Sequence, residues 1–289
     1  MSSLSKLTDY RGQVTEGPIW HPDEHTLYWT DLQMEQLLRY DPKHDNIEIV
    51  CKDVLVGGFT IQADGSLLLF MDQGQVGVYR DGYLDTERIS LSKVSTRFND
   101  VIADPKGRVI CGVMPDEDHP GGLYRLDTDG QFKCLLSRVR VPNGMGFSPD
   151  ETTLYFTETN NRIIHAFDYD ARTGRIVDRT TFAQFHRTDG KPDGLSVDEA
   201  GGVWSAQWAG HCIRRYFSNA EFDHDLRIPA KNVTSLAFGG ENRQKLFITT
   251  ARSKNQQSSE TDGGGKIYIS DCPVSGRPQY RSRVDWKEL

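Results

Sequence analysis

The chain has 289 residues, 37% of them hydrophobic, 26% charged and 10% aromatic, an ordinary globular profile with ample apolar material for a buried core. A net charge of −7 supplies no basic footprint for nucleic acid or an anionic membrane, and no run of about 18 apolar residues is present to span a bilayer. The opening segment MSSLSKLTDYRGQ lacks the apolar stretch of a secretory signal. The five cysteines (Cys51, Cys111, Cys134, Cys212, Cys272) are scattered without CxxC spacing, so a cytoplasmic protein with reduced thiols is expected.

Taken in order, the chain repeats itself. TEGPIWHPD begins at Thr15, GGFTIQAD at Gly57, FNDVIADPKG at Phe98, VPNGMGFSPD at Val141, PDGLSVDEAG at Pro192 and TSLAFGGEN at Thr234. Each copy opens on a polar or small residue, crosses about five mostly apolar positions and ends in an Asp/Gly/Asn/Pro turn. A β-rich run follows each turn: TLYWTDL at Thr26, SLLLFMD at Ser66, RVICGVM at Arg108, TLYFTET at Thr153, GVWSAQW at Gly202 and KLFITTA at Lys245. Helical periodicity with caps is nearly absent, whereas short strands separated by turn chemistry recur throughout. Aligned on Glu16, Gly57, Asn99, Asn143, Asp193 and Ser235, the copies are 41 to 50 residues apart, the length of a four-stranded propeller blade. The expected fold is therefore all-β: one six-bladed β-propeller over residues 1–289, with four antiparallel strands per blade. The sixth copy lacks a clear outer strand; either QYRSRV near Gln279 or the N-terminal SKLTDY can supply it. The N-terminal option is favoured because it closes the ring without a frayed edge.

Repeats around one axis bring equivalent residues together at one end of it. Glu16, Asn99, Asn143 and Asp193 thus converge on the mouth of the central channel. Strand direction places the loops 33–36, 72–75, 115–121, 158–161, 209–211 and 253–265 at the same end. The last, SKNQQSSETDGGG, is polar and long, and reads equally as a binding loop or a solvated linker. Glu16, Asn143 and Asp193 offer two carboxylates and an amide oxygen, a donor set suited to a hard divalent cation. Any one of them alone is better read as a turn residue bonding its own backbone; the set in register is what points to metal. Arg97, beside the mouth, provides a planar donor fork, and Glu117 on the loop of the same blade can accept hydrogen bonds from a polyol. Asp100 is expected to brace its strand, pointing away from the ligand. No GxSxG elbow is present, which disfavours a serine hydrolase. His119 and His211 fall on upper loops, where a solvated role is the default; Trp208, beside His211, reads equally as a pocket wall that stacks on a sugar face and as a rim or core residue.

These motifs resemble the SMP-30/gluconolactonase/luciferin-regenerating-enzyme family over essentially the full length: EGPIW with LYWTDL, RFND with GVM, VPNG with FSPD, KPDG, AFGG and TTAR, in order and at blade spacing. The resemblance implies that Glu16, Asn143 and Asp193 bind a divalent metal, and that Arg97, Asn99 and Glu117 contact substrate, Asn99 near the metal. It also implies Asp193 as general base. The family's GEGP reads Thr15-Glu16-Gly17-Pro18 here, its GTM reads Gly112-Val113-Met114, and Val101 stands where Gly is common. The first two leave the ligand positions intact; the third bears on how substrate approaches.

The expected activity is metal-dependent hydrolysis of a sugar (aldono-) lactone, of the gluconolactonase, xylonolactonase or arabinolactonase type. The cofactor is one divalent ion, Ca²⁺ first, with Zn²⁺, Mn²⁺, Mg²⁺ or Fe²⁺ as alternatives. The partner is a small-molecule lactone, with no nucleic acid and no membrane, acting on a monomer or weak homo-oligomer. Two rivals stay open: a related hydrolase of another ester such as a phosphotriester, and a non-catalytic calcium-binding propeller.

Overall fold

The computed structural model describes residues 4–91, 96–253 and 263–286. They form six four-stranded antiparallel sheets set around one axis. The innermost strands are Thr15–His21, Val56–Ile61, Phe98–Ala103, Pro142–Phe147, Lys191–Val197 and Asn232–Gly239. Five sheets are built from four consecutive strands. The sixth runs inward from the N-terminal pair Ser5–Lys6, which lies against Tyr268–Asp271 as the outermost strand. The N-terminal closure expected from the sequence is thus the one formed. No helix among the described residues is long and apolar enough to cross a membrane.

The second strand of each blade reads as a continuous apolar run because both of its faces are covered. Leu27 and Trp29 pack with Phe247 and Ile267 of blade 6, while Tyr28, between them, packs with Phe59 and Leu69 of blade 2. Leu68 and Phe70 face Val109 of blade 3; Ile110, one residue on, faces Leu154 and Phe156 of blade 4. Two further clusters, around Leu195 and around Trp204 with Leu236, complete a ring of interblade seams. Full burial of each such large apolar side chain contributes on the order of 1.5–3 kcal/mol, so the ring is held chiefly by apolar packing between blades.

The C-terminal segment does not join a sheet. It crosses the end of the channel opposite the ligand residues, tied by Glu199 N–H to the Ser275 carbonyl (2.9 Å), Ser282 N–H to the Ile61 carbonyl (2.9 Å) and Arg283 N–H to the Gly107 carbonyl (2.7 Å). Arg277 donates from Nη1 to the carbonyls of Phe147 (3.0 Å) and Ser148 (2.7 Å). Residues 277–280 thereby floor an axial cavity of about 150 Å³, walled by the inner strands and by Asp100.

Candidate active site

Every inner strand carries a slip in pairing, and all six fall at or next to the aligned position. The pairing slips between Glu16 and Ile19, Val56 and Gly58, Phe98 and Val101, Pro142 and Met145, Pro192 and Leu195, and Val233 and Ser235. An extra residue on one strand breaks the two-residue alternation and re-aims the side chain there. The result is that Glu16, Asn99, Asn143 and Asp193 are all buried, at 8%, 6%, 6% and 4% exposure, despite their polarity. Glycine follows three of them: Gly17 has a left-handed backbone, with φ at +52°, whereas Gly144 and Gly194 stand where neighbouring inner strands nearly touch. A Cβ on Gly144 would lie 2.1 Å from the backbone nitrogen of Leu195, and one on Gly194 would lie 2.2 Å from Ser235 Oγ. The NG and DG pairs therefore report close approach of adjacent strands.

A directional hydrogen-bond chain joins these residues. Arg97 Nη1 donates to the Phe98 carbonyl (3.0 Å) and to Asn99 Oδ1. Asn99 Nδ2 donates to the Pro142 carbonyl (2.6 Å) and to Asn143 Oδ1. Asn143 Nδ2 donates to Thr159 Oγ1 (2.7 Å), and Thr159 Oγ1 donates to the carbonyl of Pro192 (2.7 Å), the residue before Asp193.

The charges do not balance comfortably. Burial pushes the Glu16 carboxyl well above the usual carboxylate range, and the charges of Asp193 and Asp100 add to this; the Gly17 N–H and Arg97 oppose it. Asp193 is raised in the same way, by burial and then by Asp100, against Arg97, the Asn143 side chain and Lys191. Asp100 is pushed up to about 7, by burial, with Arg97 opposing. Arg97 itself is pulled down by burial and supported by Glu16, Asp100, Asp193 and Asp72. One guanidinium thus serves several carboxylates that water reaches poorly. Ionised carboxylates in such surroundings are stable only with added positive charge. Among the described residues no group of three or more His, Cys, Asp or Glu side chains is arranged to hold a metal ion by itself. The oxygens here come from two carboxylates and from amides, a set that fits a hard cation and not a soft one.

The expectation for Asp100 is corrected. Because the bulge interrupts alternation, Asp100 lines the axial cavity and its charge acts on Glu16, Asp193 and Arg97. It stands where blades 1, 2, 4 and 5 carry Gly17, Gly58, Gly144 and Gly194. Glu117 is exposed on the blade 3 loop. The start of that loop is tied to Arg97 through the Met114 N–H and the Arg97 carbonyl (3.1 Å). His119 turns back on Asp116, with Nδ1 3.3 Å from Oδ1. Most of the long loop 253–265 (residues 254–262) lies outside the described residues. Thr159, Lys191 and Asp72 are the residues that motif reading does not single out. Their one sequence signal is position: Lys191 precedes PDG, while Thr159 and Asp72 each open an upper loop.

The model of the SMP-30/Gluconolactonase/LRE-like region matches residues 14–252. The chain belongs to this family. It is 42% identical over 288 residues to the pentonolactonase XacC of Haloferax volcanii, covering 98% of this chain and 99% of that one. It is 30% identical to a 6-deoxy-6-sulfogluconolactonase of Pseudomonas putida, covering 90% and 88%. A luciferin-regenerating enzyme has the same fold, with a TM-score of 0.89 and 25% identity over 98% of this chain and 100% of that one. Sugar lactonases are thus among the relatives of this SMP-30/gluconolactonase member.

One family departure has a structural reason. Thr15, in place of Gly, bonds blade 1 to blade 6: its Oγ1 donates to the Thr250 carbonyl (2.8 Å) and accepts from the Thr250 N–H (3.0 Å). Thr234 Oγ1 donates to the Thr15 carbonyl (2.7 Å). The hydroxyl therefore helps shut the ring where the first and last blades meet. Val101 lines the axial cavity beside Asp100.

Proposed function

We propose that this family member is a divalent-metal-dependent sugar lactonase, acting on aldonolactones with the five-carbon lactones first among them. The observation that supports this best is that Glu16, Asn99, Asn143 and Asp193 are all buried on neighbouring inner strands, with Asn99 hydrogen-bonded to Asn143 and the charge of Asp193 acting on Glu16. Likeness to the pentonolactonase over nearly the whole of both chains supports the substrate class.

On this reading Glu16, Asn143 and Asp193 hold the cation, Ca²⁺ in the first place. When bound, it supplies Lewis acidity, drawing charge from a coordinated oxygen and making water more acidic. Hydrolysis adds a water oxygen to the lactone carbonyl carbon and breaks the bond from that carbon to the ring oxygen. Asp193 takes the proton from the attacking water and returns it to the ring oxygen as that atom leaves as an alkoxide. Arg97 spends one nitrogen on Phe98 and Asn99; its other N–H groups orient substrate hydroxyls and offset charge developing on oxygen. Asn99 orients substrate beside the cation, and Glu117 accepts from a hydroxyl once substrate reaches the rim. No covalent nucleophile is needed, because the leaving oxygen stays tethered in the opened product.

The test is hydrolysis of a panel of pentono- and hexonolactones by chelator-stripped and metal-restored protein. It is followed by pH-stat and corrected for spontaneous opening, with Asp193→Ala alongside. Activity that returns with one divalent ion and is absent from the variant is the expected result. Cation binding with no acceleration of any lactone would refute the lactonase reading and favour a hydrolase of another ester or a calcium-binding propeller.

A further inference from the structure

The hydrogen-bond chain through the site has a polarity fixed at both ends. Arg97 can only donate, and the carbonyl of Pro192 can only accept. The Thr159 hydroxyl must therefore give its proton to Pro192 (2.7 Å) and receive one from Asn143 Nδ2 (2.7 Å). That sets the amide of Asn143 with its nitrogen toward Thr159 and its oxygen toward Asn99. From the other side Asn99 is fixed too, since both of its N–H groups are engaged by the Pro142 carbonyl and Asn143 Oδ1. Side-chain amide orientation is otherwise ambiguous between two nearly isosteric arrangements. Here the chain admits one.

Thr159 is built to do this. It is 7% exposed. Its own backbone is held by a bond from its N–H to the Val141 carbonyl (3.1 Å) and by one from the Arg162 N–H to its carbonyl (3.0 Å). Its β-branched side chain has little rotamer freedom. The hydroxyl thus joins Asn143 to the peptide immediately before Asp193, spanning two of the strands that carry proposed ligands.

We propose that Thr159 is a positioning residue: its hydroxyl holds the Asn143 amide so that the oxygen, and not the nitrogen, faces the cation, and it locks the Asn143 strand to the Asp193 strand. This rests on the metal-lactonase reading. Groups that orient metal ligands typically influence affinity by about 10–100-fold. Thr159→Val keeps the shape and removes the hydroxyl, and with it the bonds to the Pro192 carbonyl and from one Asn143 N–H. Thr159→Ser keeps the hydroxyl.

The experiment is calorimetric titration of Ca²⁺ and Mn²⁺ into the chelator-stripped full chain of each form. Beside it runs the metal concentration for half-maximal lactone hydrolysis. Thr159→Val is expected to bind about 10–100-fold more weakly and Thr159→Ser close to wild type, with kcat of the valine form largely recovered at saturating metal. A merely structural role would lower the melting temperature without moving the metal dependence. Equal affinity in wild type and valine forms would overturn the proposal and leave the metal reading standing. Failure of the wild type to bind either ion would overturn both. Should the valine form not fold, the side-chain amide protons of Asn143 in the wild type serve instead. Assigned by their absence from Asn143→Asp, they are expected to exchange slowly with solvent, and fast exchange of both would overturn the proposal.

Discussion

Replacing Glu16 by Gln is expected to move stability in opposite directions with and without metal. In the metal-free protein at pH 8, Glu16 is buried with the charges of Asp193 and Asp100 acting on it and only Arg97 and one backbone N–H opposing. Removing its charge relieves that repulsion while keeping the shape of the side chain. Substitutions that relieve strain at a functional site commonly stabilise by about 0.5–2 kcal/mol. Unfolding entropy of roughly 2 cal/mol/K per residue makes about 0.6 kcal/mol equivalent to one degree for a chain of this length, so the variant should melt about 1–3 °C higher. Metal reverses the order. A divalent ion at about 100 times its Kd stabilises the wild type by about 2.7 kcal/mol, or about 4–5 °C, and the variant, short of a carboxylate ligand, loses most of that shift. Differential scanning calorimetry with EDTA and with excess Ca²⁺ or Mn²⁺ reads both effects. A metal-free variant that melts below the wild type would refute the argument from carboxylate crowding. An undiminished metal shift would remove Glu16 from the ligand set.

Other expectations concern single residues. Asp100, pushed up to about 7, keeps its proton in the folded protein over a range where the unfolded chain has lost it. The stability this provides is full below about pH 4 and is lost as the pH climbs through about 7, so the metal-free protein should weaken over that window. Thermal melts of Asp100→Asn should show a flatter profile, and an unchanged slope would mean another group is responsible. Gly194→Ala places a Cβ 2.2 Å from Ser235 Oγ and 2.6 Å from its Cα. It should destabilise by about 1–3 kcal/mol in urea titration, and a neutral result would show that the inner strands can separate. Arg97→Lys removes the planar fork that reaches Phe98 and Asn99. Loss of such charged hydrogen bonds, about 1.5–3 kcal/mol, corresponds to a drop of about 10–100-fold in kcat/KM, with calorimetric metal affinity little changed. Glu117→Gln, at an exposed position, should alter stability by less than about 0.5 kcal/mol and act through KM alone; a fall in kcat would place it nearer the chemistry than its rim location suggests.

The spacing of the repeats is enough to make the architecture legible. Six turn-ended copies with β-rich runs behind them leave little room for another fold, and convergence of Glu16, Asn99, Asn143 and Asp193 follows from rotational repetition. The N-terminal closure is legible for the same reason: an incomplete last copy needs a strand, and the segment containing Ser5–Lys6 provides it. Strict alternation misplaces Asp100, because its strand carries a bulge between Phe98 and Val101. Nothing in the letters FNDV marks where an extra residue enters the pairing; the glycines at the matching positions of four other blades are the available hint. Thr159 escapes motif reading for a different reason. Its importance comes from a contact with Asn143 and with the next blade, and no motif encodes a contact between loops of separate repeats. The C-terminal segment resembles a strand by composition, yet its hydrogen bonds go to the carbonyls and N–H groups of several blades at the channel floor.

Several departures from local rules gather at one level of the inner strands, where polar residues are buried beside slips in strand pairing and glycine replaces good strand formers. Polar residues buried elsewhere, such as Asp104 and Asp198, are each paired with an arginine. Departures gathered in this way are expected where selection acts on chemistry rather than stability, because each would destabilise a purely structural sheet. The bulge explains why the donors sit on strands and not on loops: it turns a side chain toward the axis while the rest of the strand keeps its ladder, so the donor inherits the rigidity of the sheet. Loops could present the same residue types, but each would have to be ordered anew when a ligand arrives. One donor per blade, each on a strand clamped between two neighbours, fixes the spacing of the oxygens in advance. The same rigidity holds the carboxylates together when nothing neutralises them, which is why the stability of the metal-free protein, and not only its activity, should report on the site.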